Sequence, residues 1–344
     1  MKTTFGSATE LAAALLGSAG VPEDPARRTA WILVAAETWG RGSHGLLRLP
    51  FYLQRLDAGG LHPEAELRTV SDREVTLALD GDNGLGHWQV WHAAEEAVSR
   101  ARRWGISAVA VGNSSHCGAL GLYLMPVVGA GLAGMVFSHG PAVIPPWGGT
   151  APVTSTSPLA VGFPAGREPV VVDMACSAVA RGKIAEAANA GGELPVGWAL
   201  DREGRPTTDP AEALRGMIAP LGGAKGFALA LAVEGLTAGL VGPSLSTSVA
   251  DPLDPGAAAD PQRLAHLVVV FDPAAFDVDG RSSERLARLA ESVVEAGGRL
   301  PGAGHPLADR LGDAAEVNVS DVVARQLLDE ASARGVRVPP GWEP

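Results

Sequence analysis

The chain has 344 residues, enough for two domains or for one large α/β unit with a subdomain. Its 27 Lys and Arg residues against 38 Asp and Glu residues give a net charge of -11 without a basic cluster, which argues against nucleic acid and anionic membranes as partners. Two cysteines, no recognisable signal peptide and no apolar run of roughly 18 residues lead us to expect a cytoplasmic protein without disulfides.

The first half of the chain is predicted to combine helices with short strands, from apolar periodicity and from turn residues. The predicted helices cover 8–20, 23–39, 87–104 and 118–130, and the predicted strands cover 66–71, 74–80, 106–112 and 132–138, with a turn at Asp72 and Arg73. His116 therefore lies where a buried strand ends and a helical segment begins.

The second half mixes element types without strict alternation. We expect strands over 170–174 and 267–271, helices over 227–240, 283–295 and 319–334, an exposed loop or hairpin over 191–209, and an irregular stretch over 243–263. This mixture favours an α/β fold with an α+β tendency and a partly antiparallel sheet over a doubly wound parallel sheet.

Two histidines are the strongest candidates for chemistry. His44 lies in the string RGSHGLLR and His116 in NSSHCGALG, and both loops are rich in glycine and hydroxyl groups. Histidine exchanges protons near neutral pH, and a neighbouring hydroxyl such as that of Ser43 can orient it. Loop packing is the alternative for each histidine alone, but two such loops in one chain favour an enzyme with proton chemistry.

Cationic groups near these loops suggest anionic ligands. Arg48 follows His44 by one helical turn and could grip a carboxylate with two hydrogen bonds, although a surface ion pair would also explain it. Lys225 lies among glycines at the start of a predicted helix and is either a phosphate or ribose contact or a solvated lysine. Residues 117–121, at the strand-to-helix junction, form a candidate phosphate cradle.

Two patterns are interpreted as structural. Residues 129–134 match GxGxxG, but these glycines follow a helix and precede a strand, the reverse of a dinucleotide fingerprint, so they are assigned to a helix cap and turn. A zinc site made of His44, His116, His139 and Asp173 would lack HxxxH or HExxH spacing. We therefore predict no metal.

Several uncommon strings occur in one order along nearly the whole chain, at residues 42–52, 113–118, 146–149, 157–160, 172–175, 181–183 and 221–226. In these strings the sequence resembles the malate/L-lactate dehydrogenase family of NAD(P)-dependent oxidoreductases, which is distinct from the Rossmann-type lactate and malate dehydrogenases. The family includes ureidoglycolate, sulfolactate and malate dehydrogenases and reductases of cyclic imino acids such as Δ1-piperideine-2-carboxylate.

The resemblance implies a non-Rossmann NAD(P)-binding domain on a largely antiparallel sheet, a second helical domain and a homodimer with the active site near the interface. We place the helical, dimerising domain at residues 1–70 with 305–344, and the NAD(P)-binding and catalytic domain at 71–304. Segments 190–210 and 243–263 would be exposed loops. A fold of this kind explains the missing dinucleotide fingerprint.

The resemblance also implies roles for individual residues. Substrate would meet Ser43, His44, Arg48, Tyr52, His116 and His139. The cofactor, NADP or NAD with NADPH slightly favoured, would be lined by Cys117, Gly118, Ala119, Leu120, Gly121, Ser155, Asp173, Met174, Ala175, Lys225, Arg299, Gly302 and Gly304. Ser157 stands where many relatives have Asn, and Ala303 where they have an acidic residue, so local cofactor contacts should differ.

The leading functional hypothesis is hydride transfer between NAD(P)H and a 2-oxo acid, with a histidine donating the proton and Arg48 holding the carboxylate. His116 is favoured as the acid/base for a hydroxy-acid substrate, and the Ser43 and His44 pair for an imine. The alternatives are a cyclic imino acid reductase, such as a Δ1-piperideine-2-carboxylate or Δ1-pyrroline-2-carboxylate reductase, and a non-catalytic relative that only binds the cofactor.

Overall fold

The computed structural model describes residues 1–251 and 255–342. Its helices are α1 Phe5–Ser18, α2 Glu23–Thr38, α3 Leu49–Asp57, α4 Gly86–Trp104, α5 Met125–Gly129, α6 Arg181–Ala190, α7 Pro210–Arg215, α8 Ala224–Glu234, α9 Ser282–Glu295 and α10 Asp321–Arg334. Its strands are β1 Lys2–Thr4, β2 Arg68–Arg73, β3 Thr76–Asp80, β4 Ile106–Ser114, β5 Ala133–Ser138, β6 Leu159–Phe163, β7 Val170–Met174, β8 Ala199–Leu200, β9 Pro206–Thr207, β10 Met217–Ile218, β11 Leu264–Phe271 and β12 Glu316–Asn318.

The chain opens with the predicted helical hairpin, which is confirmed. The Thr4 hydroxyl caps α1 by accepting a hydrogen bond from the backbone N–H of Ser7 at 3.2 Å. Helix α1 buries Leu11 and Leu15 completely, and Leu33 of α2 is equally buried. The two helices therefore bury an apolar stripe against each other.

A seven-stranded sheet forms the centre of the fold, in the order β2-β3-β4-β11-β5-β6-β7. Strands β3 and β4 run parallel, and each other neighbouring pair described in this sheet is antiparallel. The central strands β4 and β11 contain the runs AVAV and LVVV, whose β-branched side chains suit a strand covered on both faces. The predicted mixed α/β fold with a largely antiparallel sheet is confirmed.

The turn between the first two strands of this sheet was predicted two residues too early. Asp72 and Arg73 remain in β2 and pair with Leu77 and Thr76. The chain reverses at Glu74, whose φ is 60°. The Asp72 carboxylate accepts the Glu74 N–H at 3.3 Å, so the aspartate side chain supports the turn from the preceding strand.

Further predictions differ from the structure where proline or glycine interrupts a pattern. The segment predicted as a helix over 118–130 divides into a 3₁₀ turn, Leu120–Leu124, and the short helix α5, because Pro126 lacks an N–H and is tolerated only in a first helical turn. Strand β6 was missed; it contains Gly162, whose added Cβ would lie 3.1 Å from Val128 Cγ1. Helices α3 and α6 were also missed.

The predicted exposed segments hold some regular structure. Residues 191–209 contain the hairpin of β8 and β9, and β10 extends it to three strands. In the predicted irregular stretch 243–263, residues 252–254 lie outside the described part of the chain, and the described residues include the short 3₁₀ turns Ser246–Ser248 and Pro255–Ala257. Strand β11 begins at Leu264, three residues before the predicted start at 267.

The two ends of the chain meet beside the helical hairpin. Strand β1 pairs with β12, and the N-terminal amine donates to the Asp321 carboxylate at 2.9 Å. One apolar cluster extends from Phe5 through Val109 of β4 to Leu327 of α10. The predicted domain boundaries stay a prediction. No helix in the described ranges is both long and apolar enough to cross a membrane.

Candidate active site

The two candidate histidines lie against each other. The loop between α2 and α3 carries His44 on a 3₁₀ turn, and this loop is tied to α2 because Glu37 Oε1 accepts the Leu46 N–H at 2.8 Å. His116 follows the end of β4 by two residues. The imidazole ring centroids are 5.9 Å apart with 22° between the ring planes. The fold therefore brings together two residues that are remote in sequence.

Tyr52 of α3 holds His116 in position. Its hydroxyl lies 2.7 Å from His116 Nδ1, and its side chain is 1% exposed. Burial raises the pKa of Tyr52, so the phenol stays protonated and can donate to or accept from Nδ1. Gln262, which the sequence analysis missed, accepts the backbone N–H of His116 at 3.0 Å through Oε1. These contacts leave Nε2 of His116 for a ligand.

The electrostatics of the pair favour neutral imidazoles in the free protein. Burial lowers the pKa of His44 to about 4, and the positive charges of Arg48 and Arg41 act in the same direction. Burial also lowers the pKa of His116, followed by the charges of His44 and Arg48. An anion bound beside Arg48 would reverse part of this effect by stabilising the imidazolium.

Ser43 and Arg48 lie on the same loop as His44. Ser43 Oγ is 3.1 Å from His44 Nδ1, and Arg48 Nε donates to the Ser43 carbonyl oxygen at 2.9 Å. Because Nε of Arg48 donates within the loop, its two terminal guanidinium nitrogens remain for a ligand. The arrangement gives His44 a hydroxyl partner and places a cation beside both histidines.

His87, which the sequence analysis did not select, also lies at the site. It is fully buried at the start of α4, and its ring meets that of Tyr52 edge-on, with centroids 4.9 Å apart. Its centroid is 6.4 Å from that of His116. Neither ring nitrogen has a partner among the described residues, and burial lowers the pKa of His87 to about 3. We call His44, Tyr52, His87 and His116 the histidine pocket.

His139 has internal partners. It is 3% exposed, and its Nε2 accepts the Ala265 N–H at 2.9 Å. Its Nδ1 lies 3.4 Å from Ser246 Oγ, which in turn donates to the Glu234 carboxylate at 2.6 Å. Both ring nitrogens of His139 thus hold β11 and the segment after α8, and its predicted contact with substrate stays a prediction.

The predicted phosphate cradle at 117–121 is largely enclosed. Cys117, Ala119, Leu120 and Gly121 are buried, and Gly118 is half-buried. The Tyr123 hydroxyl donates to the Cys117 carbonyl oxygen, and burial raises the pKa of the Cys117 thiol to about 12. The Gly121 N–H acts on the Asp173 carboxyl and lowers its pKa, so this donor faces Asp173.

Residues predicted to line the cofactor at the end of β7 and in the segment before β6 are arranged around buried polar groups. Ser155 Oγ accepts the Ser157 N–H at 2.9 Å, and both side chains are buried. Burial raises the pKa of Asp173, although the Gly121 N–H and the charge of Arg41 act against this. Met174 and Ala175 are half-buried at the end of β7.

The glycine turn, which we define as residues 222–225 with Trp147, is open to solvent. Gly223 has a φ of 74°, and a Cβ added there would lie 2.9 Å from Cζ3 of the Trp147 ring. Lys225 is exposed in the first turn of α8, and Trp147 is 66% exposed. An indole face, a lysine and a helix start therefore adjoin at one surface.

The late loop, which we define as residues 299–305, packs against β7. Gly302 has a φ of 76°, and its added Cβ would lie 2.9 Å from the Val171 carbonyl oxygen, so only glycine fits this approach. Arg299 Nη2 donates to the Ala303 carbonyl oxygen at 3.3 Å, and Gly304 is open to solvent.

Among the residues that the structure describes, no group of three His, Cys, Asp or Glu side chains could hold a metal ion.

A family model for malate/L-lactate dehydrogenase matches residues 4–328. The chain belongs to this family. The malate/L-lactate dehydrogenase family thus accounts for the order of the motifs and for a nucleotide-binding fold without the Rossmann fingerprint. As a member, the chain is an NAD(P)-dependent oxidoreductase.

Three relatives illustrate the range of this family. The (2R)-3-sulfolactate dehydrogenase (NADP(+)) of Chromohalobacter salexigens is 42% identical, with 86% of this chain and 88% of the relative covered. The Δ1-pyrroline-2-carboxylate/Δ1-piperideine-2-carboxylate reductase of Pseudomonas aeruginosa is 34% identical, with 88% and 90% covered. The solved Δ1-piperideine-2-carboxylate reductase of Pseudomonas syringae has a TM-score of 0.87 at 29% identity, with 96% and 100% covered.

The residues present fit a dinucleotide cofactor. The glycine turn offers the exposed indole face of Trp147 for a planar ring and the ammonium group of Lys225 for a phosphate or ribose oxygen. The tight packing of Gly302 against β7 fixes the late loop. These residues are the candidates for holding the cofactor of this malate/L-lactate dehydrogenase family member.

Proposed function

We propose that the protein interconverts a 2-oxo acid and a 2-hydroxy acid with NAD(P)H or NAD(P)+ as the redox partner. The observation that carries this proposal is the histidine pocket, where His44 and His116 stack at 5.9 Å and Tyr52 engages Nδ1 of His116 at 2.7 Å. A half-buried imidazole with one nitrogen hydrogen-bonded and the other available is suited to proton transfer.

Arg48 is proposed to bind the substrate carboxylate. Its charge already acts on both histidines, and a planar guanidinium can form two parallel hydrogen bonds to a carboxylate. The bound carboxylate would offset the positive charge of Arg48 and raise the pKa of His116 from its low value in the free protein. Substrate binding would thus prepare the imidazolium that reduction requires.

The proton step is assigned to Nε2 of His116. In reduction, the imidazolium donates its Nε2 proton to the substrate oxygen as that oxygen becomes negative, and the Nδ1 proton stays hydrogen-bonded to Tyr52. In oxidation, neutral His116 with its proton on Nδ1 accepts the hydroxyl proton at Nε2. When bound, the nicotinamide cofactor supplies or accepts the hydride at the substrate C2.

A cyclic imino acid is the second candidate substrate. Ser43 Oγ lies 3.1 Å from His44 Nδ1, a pairing that could deliver a proton to an imine nitrogen. Relatives named as Δ1-pyrroline-2-carboxylate and Δ1-piperideine-2-carboxylate reductases support this candidate. The 42% identity to a sulfolactate dehydrogenase favours the 2-oxo acid.

The test is the oxidation of NADPH and NADH by purified protein, followed at the nicotinamide absorbance. The panel contains 3-sulfopyruvate, oxaloacetate and pyruvate as linear 2-oxo acids, and Δ1-piperideine-2-carboxylate and Δ1-pyrroline-2-carboxylate as cyclic imino acids. Turnover of a linear 2-oxo acid is expected. Turnover of the cyclic acids alone would transfer the assignment to the reductase, and cofactor binding without any turnover would support the non-catalytic alternative.

We also propose a homodimer that works in the cytoplasm. Helix α8 and the turn after it leave Leu229, Leu236 and Leu240 between 40% and 70% exposed, an apolar face that a second copy could cover. Two buried, unpaired cysteines suit a reducing compartment. Light scattering during size-exclusion chromatography should give twice the 35.1 kDa mass of the chain, and Leu236→Asp should shift the protein towards the monomer.

A further inference from the structure

The peptide group that joins Ser115 to His116 is hydrogen-bonded at both ends by buried side chains. The Ser115 carbonyl oxygen lies 3.0 Å from Nε2 of His266, and the His116 N–H donates to Gln262 Oε1 at 3.0 Å. His266 is fully buried, and Gln262 is 4% exposed. We call Gln262 and His266 the peptide clamp, because these two side chains of one short segment hold opposite ends of the same peptide.

His266 is the donor of the clamp. A carbonyl oxygen can only accept, so the proton of neutral His266 lies on Nε2, and Nδ1 is left as an acceptor. Nδ1 lies 2.9 Å from the hydroxyl oxygen of Ser138, which is the register partner of His266 on β5, and 3.7 Å from Cys117 Sγ. Burial lowers the pKa of His266 to about 3, and the charge of His139 acts in the same direction. The ring therefore stays neutral near pH 7, and both of its nitrogens have partners.

An irregularity in the central sheet accompanies the clamp. The register between β4 and β11 shifts between Leu264 and His266, so that two residues of β4 face one residue of β11, which is a β-bulge. Asn113 in the bulge has a φ of 50°, and Arg263, just before β11, has a φ of 51°. Residues other than glycine are uncommon at such angles and persist where the surrounding contacts hold them. The bulge bends the end of β4 directly before the clamped peptide.

Holding both ends of a peptide group fixes the side chain that follows it. The group is planar and rigid, so its orientation determines the direction in which the side chain of His116 leaves the backbone. Tyr52 holds the ring of His116 at Nδ1, 2.7 Å away, while the clamp holds the backbone. These contacts together restrict the position of Nε2, and a misplacement of about 1 Å at a reacting group can cost roughly 10²-fold in rate.

We propose that Gln262 and His266 are positioning residues that set the place of His116 Nε2 for proton transfer. Both act through the backbone of His116 rather than on the substrate. This inference rests on the proposed function, since it concerns His116 as the group that exchanges the proton.

The experiment releases each end of the peptide separately in the intact protein. Gln262→Met keeps the length of the side chain and removes the acceptor, and His266→Phe keeps a ring and removes the donor. His266→Gln is the conservative variant, because its amide N–H can replace that of Nε2. Ser107→Ala is the matched control, because the Ser107 hydroxyl donates an equally buried hydrogen bond to the Ala97 carbonyl oxygen at 2.7 Å, near the other end of β4. Thermal unfolding of each variant reports whether the fold is retained.

The clamp predicts a particular pattern in the kinetics. Q262M and H266F should each lower kcat roughly tenfold, with the KM of the 2-oxo acid and the affinity for NADP+ unchanged, and H266Q should recover most of the loss. The double variant of Q262M and H266F should lose little more than either single variant, because releasing one end already frees the peptide plane. S107A should keep kcat within about twofold of the wild type although it also loses a buried hydrogen bond.

Three kinetic results would overturn the inference. The first is wild-type kcat in folded Q262M and H266F. The second is a loss that H266Q shares with H266F, and the third is a pair of losses that multiply in the double variant, since either would describe packing rather than a clamp. If H266F does not fold, Q262M decides the matter, because it releases the N–H end of the same peptide.

A readout that needs no turnover separates this inference from the proposed function. In protein with isotope-labelled histidine, the NMR shifts of the ring nitrogens report the tautomer, and H116N identifies the signals of His116. We expect one tautomer of His116 in the wild type and a mixture in Q262M, because Tyr52 would no longer meet a fixed ring. An unchanged tautomer in Q262M overturns the positioning role. A mixed tautomer in Q262M supports that role even if no substrate of the panel is turned over, a result that would count against the proposed function alone.

Discussion

The histidine pocket and the glycine turn are built in opposite ways. In the pocket, Tyr52 is 1% exposed and His87 fully buried, and side chains from α3, α4 and the end of β4 hold each other. In the turn, Lys225 and Trp147 are largely exposed, and the chain shape is set by glycines at positive φ. The groups proposed to exchange protons lie in the enclosed region, whereas a cofactor that must enter and leave would meet the open one.

The largest expected effect tests the pocket as a chemical site. His116→Asn should lower turnover by roughly 10²- to 10⁴-fold, because it removes the group proposed to exchange the proton, while the affinity for NADP+ stays unchanged. Steady-state kinetics and calorimetry measure the two quantities. His62→Asn, at an exposed histidine paired with Asp82, is the matched control. Turnover near the wild-type rate in H116N would remove His116 from the mechanism.

The second prediction concerns the stability cost of enclosing histidines in the pocket. The pKa of His87 falls from 6.5 to about 3 on folding, so the unfolded chain binds a proton that the folded chain refuses. Stability is therefore full above the unfolded pKa of about 6.5 and declines as pH falls towards the folded value. Between pH 7.5 and 5 this one group should cost about 2 kcal/mol of unfolding free energy.

His87→Phe tests this cost, because it keeps an aromatic ring against Tyr52 and removes the titrating nitrogens. Urea unfolding at the two pH values should show a loss about 2 kcal/mol smaller in H87F than in the wild type. His92→Phe, at an exposed position of the same helix, should leave the difference unchanged. An equal acid loss in H87F and wild type would mean that His87 is protonated in the folded protein.

The same contrast explains what the sequence could predict. The strings around His44 and His116 could be recognised because glycine and hydroxyl residues flank them locally. His87 and Gln262 could not, since their importance comes from contacts with Tyr52 and with the His116 N–H, across long stretches of chain. Local patterns identified the loops, and long-range packing determined which side chains meet.

The fold shows a similar division. Periodicity located α1, α2, α4, β4 and α10, whose apolar patterns are continuous. It missed β6, which begins directly after Ser157-Pro158, and it misplaced the reversal at Glu74, where the carboxylate of Asp72 sets the turn. Strand β6 contains Ala160 and Gly162, which are residue types with low β-propensity, so its local signal is weak.

The third prediction separates orientation from proton transfer within the pocket. Tyr52→Phe removes the 2.7 Å hydrogen bond to His116 Nδ1 and should lower turnover by roughly tenfold. The apparent pKa in the pH–rate profile should also shift, because Nδ1 loses its partner in both protonation states. Tyr123→Phe, whose hydroxyl bonds the Cys117 carbonyl oxygen instead, should not produce this shift. An unchanged profile in Y52F would reduce Tyr52 to a packing role.

The smallest effect is expected at the glycine turn. Lys225→Met should weaken NADP+ binding by only a few-fold, because an exposed ammonium group is screened by water and salt. Turnover at saturating cofactor should be retained, and the difference between K225M and wild type should shrink as salt is raised. Lys2→Met, which removes a surface ion pair with Glu316, is the matched control. A loss of turnover that saturating cofactor does not restore would place Lys225 with the pocket residues, and the division between an enclosed chemical region and an open cofactor region would then fail at this residue.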